Sequence, residues 1–274
     1  MATEQELKDI VKEQYTAIAE QDKETNMSSC CGAGGCSTEV YNIMSDDYTK
    51  MDGYNADADL GLGCGLPTEF AQIKEGDTVI DLGSGAGFDC FLASRETGDT
   101  GKVIGVDITP EMVAQAKKNA EKGKYKNVEF KIGEIENLPI ETNSIDLIIS
   151  NCVINLSNQK EQIFKESFRV LKPNGRIMIS DIILLNDLPK YVKNSFEGHI
   201  ACLAGAVRKE DYINAISKAG FTEINIDKQT HFPIELMLND PIAIKIIEEN
   251  NLSKQEIENI ANSVASISIS AKRL

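Results

Sequence analysis

The residues of this sequence best placed to do chemistry are three cysteines, Cys64, Cys152 and Cys202. The first lies in LGLGCGLP, the second directly follows Asn151 at the end of a predicted strand, and the third lies in HIACLAGA. A single cysteine is most often a small buried apolar residue, but three that are flanked by glycine or by a strand end are harder to explain in that way. Because thiolates are soft ligands, the three residues predict thiol chemistry or the binding of a soft ion.

Four other cysteines are candidate accessory thiols. Cys30, Cys31 and Cys36 cluster in SSCCGAGGCS, where the density of glycine and serine predicts a loop, and Cys90 stands in GFDC. The total of seven cysteines is odd, and the acidic, amphipathic N-terminus has no apolar core of an export signal. A framework of structural disulfides is therefore not expected, which favours thiol chemistry or metal binding.

A glycine-rich run predicts the site of a nucleoside ligand. Residues 79–93 read VIDLGSGAGFDCFLA, a buried strand that ends near Asp81 and turns into a helix through residues 83–87. Glycines let a ligand approach the backbone, and the free N–H groups of a helix N-terminus favour a carboxylate or phosphate. The next strand ends in Asp107, 20 residues beyond Gly87, where an acidic side chain accepts hydrogen bonds from both ribose hydroxyls. The spacing G-x-G-x-G resembles methyltransferase motif I more than a dinucleotide fingerprint.

The elements that must position these residues alternate between strand and helix from about Pro67, which is typical of a parallel sheet with crossover helices. Short β-branched runs predict strands over residues 78–82, 102–107, 128–132, 145–150 and 176–180. Helical patterns lie at 89–96, 110–122 and 159–171, followed by a predicted turn at 172–175. Beyond residue 184 we expect a helix to about 203, a helix near 209–219, a strand near 222–228, helices within 236–261 and a strand over 263–271.

These elements predict an α/β fold of the Rossmann-like class I methyltransferase type, with a mostly parallel twisted sheet and helices on both faces. Residues 1–66, with a helix over 4–22 and the cysteine loop, are expected to cap the site. Residues 67–274 are expected to form the methyltransferase domain, with helical insertions near 184–210 and 232–261.

Composition narrows the classes of partner. Apolar residues make up 42% of the 274 residues, and no stretch approaches the roughly 20 apolar residues that span a membrane. The net charge of −15 is spread along the chain, so the surface repels nucleic acid and anionic lipid. With no signal peptide in the sequence, the expected location is the cytoplasm.

Seven motifs together resemble the arsenite S-adenosylmethionine methyltransferase family. They follow in the order LGLGCGLPTEF, DLGSGAGFDCFLA, VIGVDITPEM, GEIENLPI, ISNCVINLS, FRVLKPNGRIMISDI and CLAGA, over roughly residues 58–230. The resemblance is specific because ISNCVINLS and LGLGCG are not general methyltransferase motifs. It implies that Cys64, Cys152 and Cys202 hold trivalent arsenic, which takes a methyl group from S-adenosylmethionine and leaves S-adenosylhomocysteine.

The same match implies a cofactor site on the motifs described above. With neighbouring residues of the glycine turn and the strand ends, the predicted site comprises Asp81, Gly83, Ser84, Gly85, Gly87, Asp107, Ile108, Met112, Ile135, Glu136 and Asn151.

The chemistry of arsenic agrees with these residues. Trivalent arsenic is soft, so thiolates are its natural protein ligands, and methyl transfer to its lone pair needs no general base. The sequence has only two histidines, His199 and His231, and we expect His199 to lie at the surface. The expected partners are arsenite or its thiol conjugate and a thiol reductant of the thioredoxin class.

Several alternatives stay open at this point. Cys30, Cys31, Cys36 and Cys90 either capture arsenic or exchange disulfides with Cys64, or they are adventitious thiols. The first alternative function is a class I methyltransferase that acts on carbon or oxygen of a small molecule. The second is a non-catalytic thiol sensor of metalloids.

Overall fold

The computed structural model describes residues 4–20, 54–60, 65–190, 205–231, 244 and 247–274. Five of the seven cysteines, Cys30, Cys31, Cys36, Cys64 and Cys202, lie outside these residues, as do residues 232–243 and 245–246 of the predicted helical insertion at 232–261. Among the residues described, no helix is both long and apolar enough to cross a membrane.

Seven strands of the described chain form one sheet in the order β3-β2-β1-β4-β5-β7-β6. They are β1 (Thr78–Leu82), β2 (Lys102–Asp107), β3 (Val128–Ile132), β4 (Ile145–Asn151), β5 (Leu171–Leu184), β6 (Thr222–His231) and β7 (Val264–Lys272). Strands β3, β2, β1, β4 and β5 are parallel neighbours. Strand β7 is antiparallel to both β5 and β6. The predicted mostly parallel sheet is confirmed.

Helices of the described chain cross over between the strands. They are α1 (Glu4–Glu20), α2 (Pro67–Phe70), α3 (Phe88–Thr97), α4 (Pro110–Gly123), α5 (Lys160–Val170), α6 (Lys209–Lys218) and α7 (Lys254–Ala261), with a 3₁₀ turn at Ile154–Leu156. Proline opens α4 because its missing N–H leaves no helical hydrogen bond unmade at that position. Helix α7 begins with a capping box between Ser253 and Glu256.

The core lies on both faces of the sheet because side chains of a strand alternate with a period of two. In β1, Ile80 and Leu82 belong to a buried cluster that includes Phe164 of α5. Val79 belongs to a second cluster, which includes Phe91 of α3. Because both faces are buried, the sequences of the parallel strands are nearly continuous apolar runs. Burial on both faces also confirms the prediction of helices on both faces of the sheet.

Strand β5 begins earlier than the sequence predicts. The expected turn at 172–175 lies within β5, where the pairing with β4 jumps from Leu171 to Arg176 and Asn174 has a φ of 65°. The backbones of Asn174 and Gly175 exchange hydrogen bonds with Arg273, so this stretch is held as part of the sheet.

Residues 191–204 of the predicted helical insertion near 184–210 lie outside the described residues, so the insertion stays a prediction there. Leu184 ends β5, residues 185–189 and 205–208 are not helical, and helix is described only at residue 190 and from residue 209. The backbone of residues 207–208 pairs instead with β5, through a hydrogen bond from Leu184 to the carbonyl of Val207. Backbone groups engaged in this way are not available to a helix.

Candidate active site

A cavity opens at the carboxyl ends of β1, β2 and β4, the edge at which open α/β sheets bind ligands. Its volume is about 1130 Å³, counted with its open mouth. The lining comes from α1, from residues 58–60, from the glycine turn after β1, and from the segments that follow β2, β3 and β4.

The glycine turn places backbone N–H groups and one carboxylate together. Gly83 has a φ of 68°, and a Cβ there would come within 2.3 Å of the Val153 side chain, so only glycine fits. A Cβ on Gly85 would meet no atom within 4 Å, which leaves its backbone open to the cavity. The Asp107 carboxylate accepts hydrogen bonds from the N–H of Gly85 at 2.9 Å and of Thr109 at 2.8 Å.

Buried carboxylates make the cavity strongly acidic. Burial, reinforced by the negative charges of Asp89 and Asp107, raises the pKa of Asp81 well above its usual range. Burial raises the pKa of Asp89 to about 6, although a hydrogen bond from Asn151 opposes this and Asp59 adds to it. Burial also raises the pKa of Asp107, against the two backbone hydrogen bonds that it accepts. Carboxylates in this state are stabilised by a cation.

Three buried polar atoms of the cavity wall have no hydrogen-bond partner among the described residues: Ser84 Oγ, Asp89 Oδ1 and Thr109 Oγ1. Because buried polar atoms are almost always bonded in proteins, these three indicate a missing ligand. Asp107 has accepting capacity left beyond its two backbone bonds, as ribose hydroxyls require. The residues present therefore fit a cationic nucleoside such as S-adenosylmethionine.

Cys152 lies at the inner end of this cavity and is 5% exposed. Its backbone has a φ of 58°, and its N–H donates to the carbonyl of Ser180. Its sulfur is in a disulfide, whereas the thiol of Cys90 is free. Next to it, Asn151 Nδ2 donates to the carbonyl of Gly65 at 2.8 Å and to Asp89 Oδ2 at 3.1 Å.

Comparison with known proteins shows similarity to methyltransferases. A family model described as a methyltransferase domain matches residues 73–230. The chain is 41% identical over 244 residues to an arsenite methyltransferase of Halobacterium salinarum, which is 83% of this chain and 61% of that protein. An arsenite methyltransferase of Aquipseudomonas alcaligenes is 31% identical over 220 residues, 78% of this chain and 61% of that protein. The chain thus spans about three fifths of the length of these relatives.

The crystal structure of an arsenic(III) S-adenosylmethionine methyltransferase from Chlamydomonas reinhardtii superposes with a TM-score of 0.62 at 30% identity. The match covers 86% of this chain and 72% of that one. The chain belongs to the arsenite methyltransferase family.

Most of the cofactor residues that the arsenite methyltransferase motifs imply line the cavity: Asp81, Gly83, Ser84, Gly85, Asp107, Ile108, Ile135, Glu136 and Asn151. Gly87 and Met112 do not belong to the lining. Gly87 precedes α3 with a φ of 96°, where a Cβ would press on the rings of Phe91 and Phe130. Met112 is fully buried on α4.

The predicted accessory role of Cys90 is not supported. The Cys90 side chain is 0% exposed and packs in the core cluster that contains Phe91, and its thiol donates to Asp81 Oδ2 over 3.3 Å. Burial, together with the charge of Asp81, raises the pKa of this thiol well above its usual range. Since the thiolate is the reactive form, burial of this kind argues against a part in disulfide exchange.

Several cavity residues are absent from the set predicted for this arsenite methyltransferase family member. Asp59 and Asp89 face the cavity, as do Lys8, Val11 and Tyr15 of α1. Lys8 bridges to Glu134 at 2.8 Å, which holds α1 against the segment after β3. The helical spacing of the three α1 residues was the available signal, since it places them on one face. It gives no indication of what that face covers.

Proposed function

We propose that this protein transfers a methyl group from S-adenosylmethionine to trivalent arsenic held by the thiolates of Cys64, Cys152 and Cys202. The proposal rests on the hydrogen bond from Asn151 Nδ2 to the carbonyl of Gly65. This bond ties the residue after Cys64 to the residue before Cys152, at the wall of the cofactor cavity.

A further observation supports convergence of the thiols. A Cβ on Gly65 would lie 2.8 Å from the Ser180 side chain, so the chain next to Cys64 approaches β5 as closely as glycine allows. The assignment of Cys202 as the third ligand rests on the match of its CLAGA motif with the family.

The residues that would hold S-adenosylmethionine follow from the cavity. Asp107 would accept the ribose hydroxyls, the backbone of Gly85 would lie against the ligand, and the carboxylates of Asp81 and Asp89 would face its positive charges. When bound, this cofactor supplies an electrophilic methyl group on a sulfonium, which a lone pair of arsenic can take with no proton to remove. The described cavity wall accordingly contains no histidine. The chain contributes mainly positioning and a negative field.

A reductant is a necessary part of this proposal. Arsenic that has taken a methyl cation is formally pentavalent, and two thiolates return it to the trivalent state by giving two electrons and joining as a disulfide. A dithiol of the thioredoxin class then reopens that disulfide by exchange. Such thiol chemistry suits the reducing cytoplasm, where we expect the protein to act on arsenite or its thiol conjugate.

The test is direct. Purified protein is incubated with arsenite, glutathione and S-adenosylmethionine, and arsenicals are separated and measured by mass spectrometry. We expect methylated arsenic, with one S-adenosylhomocysteine for each methyl group transferred, and loss of both in Cys152→Ser. Methyl transfer to a quinol but not to arsenite would favour the carbon or oxygen methyltransferase. Tight arsenite binding with no S-adenosylhomocysteine formed would favour the sensor.

A further inference from the structure

Residues 205–208, which begin three residues after Cys202, dock on the loop that follows Cys152. The link between them is Lys160 at the start of α5, whose side chain is almost wholly buried. Its Nζ donates to the carbonyl of Ser157 at 3.0 Å and to the carbonyl of Gly205 at 2.8 Å. One ammonium group therefore joins two chain segments 48 residues apart.

The fit between Gly205 and this loop is close enough to require glycine. A Cβ on Gly205 would lie 1.8 Å from the carbonyl oxygen of Asn155, well inside any real contact distance. Asn155 is itself fixed, because its Nδ2 donates to Asp181 Oδ1 at 2.8 Å and to the carbonyl of Ile182 at 2.6 Å. The 3₁₀ turn that receives Gly205 is thus tied to β5.

Apolar contacts continue the same interface up to the proposed arsenic ligand. Ala206 is 5% exposed and belongs to one buried cluster with Cys152, Ile182 and Leu184. The carbonyl of Val207 accepts a hydrogen bond from the backbone of Leu184. The segment after Cys202 is therefore packed beside Cys152 in the described structure.

Burial of the Lys160 ammonium group costs free energy. Burial lowers the pKa of Lys160 to about 8, and the carboxylate of Asp181 opposes that shift. Asp181 in turn accepts a hydrogen bond from the hydroxyl of Tyr212 at 2.9 Å. An apolar side chain would fill the space without this cost, so the two directed hydrogen bonds are the property that lysine adds.

We propose that Lys160 is a positioning residue of the arsenic site, which holds the segment after Cys202 against the loop after Cys152. This inference rests on the proposed function. Lys160 touches neither arsenic nor cofactor in this account, and it acts through the placement of Cys202. Its removal should weaken the arsenic site and leave the cofactor site intact.

The test replaces Lys160 by methionine, which keeps an unbranched side chain of similar length and removes the donors. The matched control is Lys165→Met, on the exposed face of the same helix. Affinity for arsenite alone is measured by equilibrium dialysis, and affinity for S-adenosylhomocysteine by calorimetry. We expect arsenite to bind about tenfold more weakly to Lys160→Met, since two buried hydrogen bonds are lost. S-adenosylhomocysteine affinity should stay within about twofold, and the control should match wild type.

A double-mutant cycle separates positioning from general destabilisation. In a Cys202→Ser background, Lys160→Met should add almost no further loss of arsenite affinity, because the thiolate that it positions is absent. A full tenfold loss in that background, or a parallel loss of S-adenosylhomocysteine affinity, would overturn the inference. The inference would also be overturned if Lys160→Met bound arsenite with wild-type affinity while Cys202→Ser had lost that affinity.

Two results keep the inference separate from the proposed function. If Cys202→Ser binds arsenite as well as wild type does, the three-thiolate function is wrong and the inference falls with it. If Lys160→Met does not fold, Gly205→Ala takes its place, because the added methyl must displace the segment from Asn155. It should give the same loss of arsenite affinity and the same cycle with Cys202→Ser, and wild-type affinity would overturn the inference.

Discussion

The side-chain amide of Asn151 donates one hydrogen bond to the backbone carbonyl of Gly65 over 2.8 Å. Its second contact is with the carboxylate of Asp89, a residue of the cofactor cavity. A single amide at the end of β4 therefore connects the chain beside Cys64, the chain beside Cys152 and the acidic wall of the cavity. Amides suit this place because they donate two hydrogen bonds in a fixed plane.

The ribose role of Asp107 is tested by Asp107→Ala. Each hydrogen bond to a charged group contributes about 1.5–3 kcal/mol, so S-adenosylmethionine should bind at least about tenfold more weakly. Asp99→Ala, at an exposed position outside the cavity, is the control and should bind as wild type does. Calorimetry gives both affinities. Unchanged affinity in folded Asp107→Ala would remove this residue from the site.

The acidic wall predicts a pH dependence of cofactor binding. Because burial raises the pKa of Asp89 to about 6, this carboxyl is largely neutral at pH 5 and negative at pH 7. Affinity for S-adenosylmethionine, which carries a sulfonium, should rise as the pH passes upward through about 6 and then level off. S-adenosylhomocysteine should gain less, and Asp89→Asn should flatten the rise. A wild-type profile that falls across this range contradicts the assignment.

The buried state of Cys90 predicts its reactivity. Iodoacetamide should leave Cys90 unmodified in the folded protein and label it after unfolding, as measured by peptide mass spectrometry. Cys90→Ala should keep arsenite affinity within about twofold, because its thiol faces Asp81 and the core. Rapid labelling of Cys90 in the native protein would restore the accessory role.

Cys30, Cys31 and Cys36 lie outside the described residues, so their role stays a prediction from sequence. Replacing all three by serine should slow multiple turnover under limiting reductant, because fewer thiols are left to return arsenic to the trivalent state. The first transfer, with excess small thiol, should be largely spared. Single-turnover and multiple-turnover assays separate these phases. If both rates equal those of wild type, the cluster has no part in catalysis.

The strands and the glycine turn could be predicted because their signals are local. Runs such as residues 78–82 and 102–107 are short, β-branched and bounded by turn residues, and the structure places strands over the same residues. The expected turn at 172–175 is present as an irregularity within β5, because Asn174 has a φ of 65° and these residues are left out of the pairing with β4. The sequence could not show that a strand runs through it, since the backbone hydrogen bonds that include this turn in the sheet come from Arg273, about 100 residues later in the chain.

The candidate site was predictable only where a motif marks a strand end. Asp89 and Cys90 are adjacent in GFDC, yet Asp89 faces the cavity and Cys90 faces the core, because successive residues of a helix point in different directions. Lys160 gives no local signal at all, since a lysine at the start of a helix is ordinarily exposed. Its contact with Gly205 exists only once α5 and the segment after Cys202 have packed together.

The most direct test of the arsenic site is X-ray absorption at the arsenic edge of protein whose disulfides have been reduced, which is then freed of the reductant and loaded with one equivalent of arsenite. Three sulfur neighbours are expected in wild type, and two sulfurs with one oxygen in each of Cys64→Ser, Cys152→Ser and Cys202→Ser, because a hydroxyl is a harder and weaker ligand for a soft centre than a thiolate. Arsenic coordinated by oxygen alone in wild type, or by three sulfurs in Cys152→Ser, would contradict the three-thiolate site.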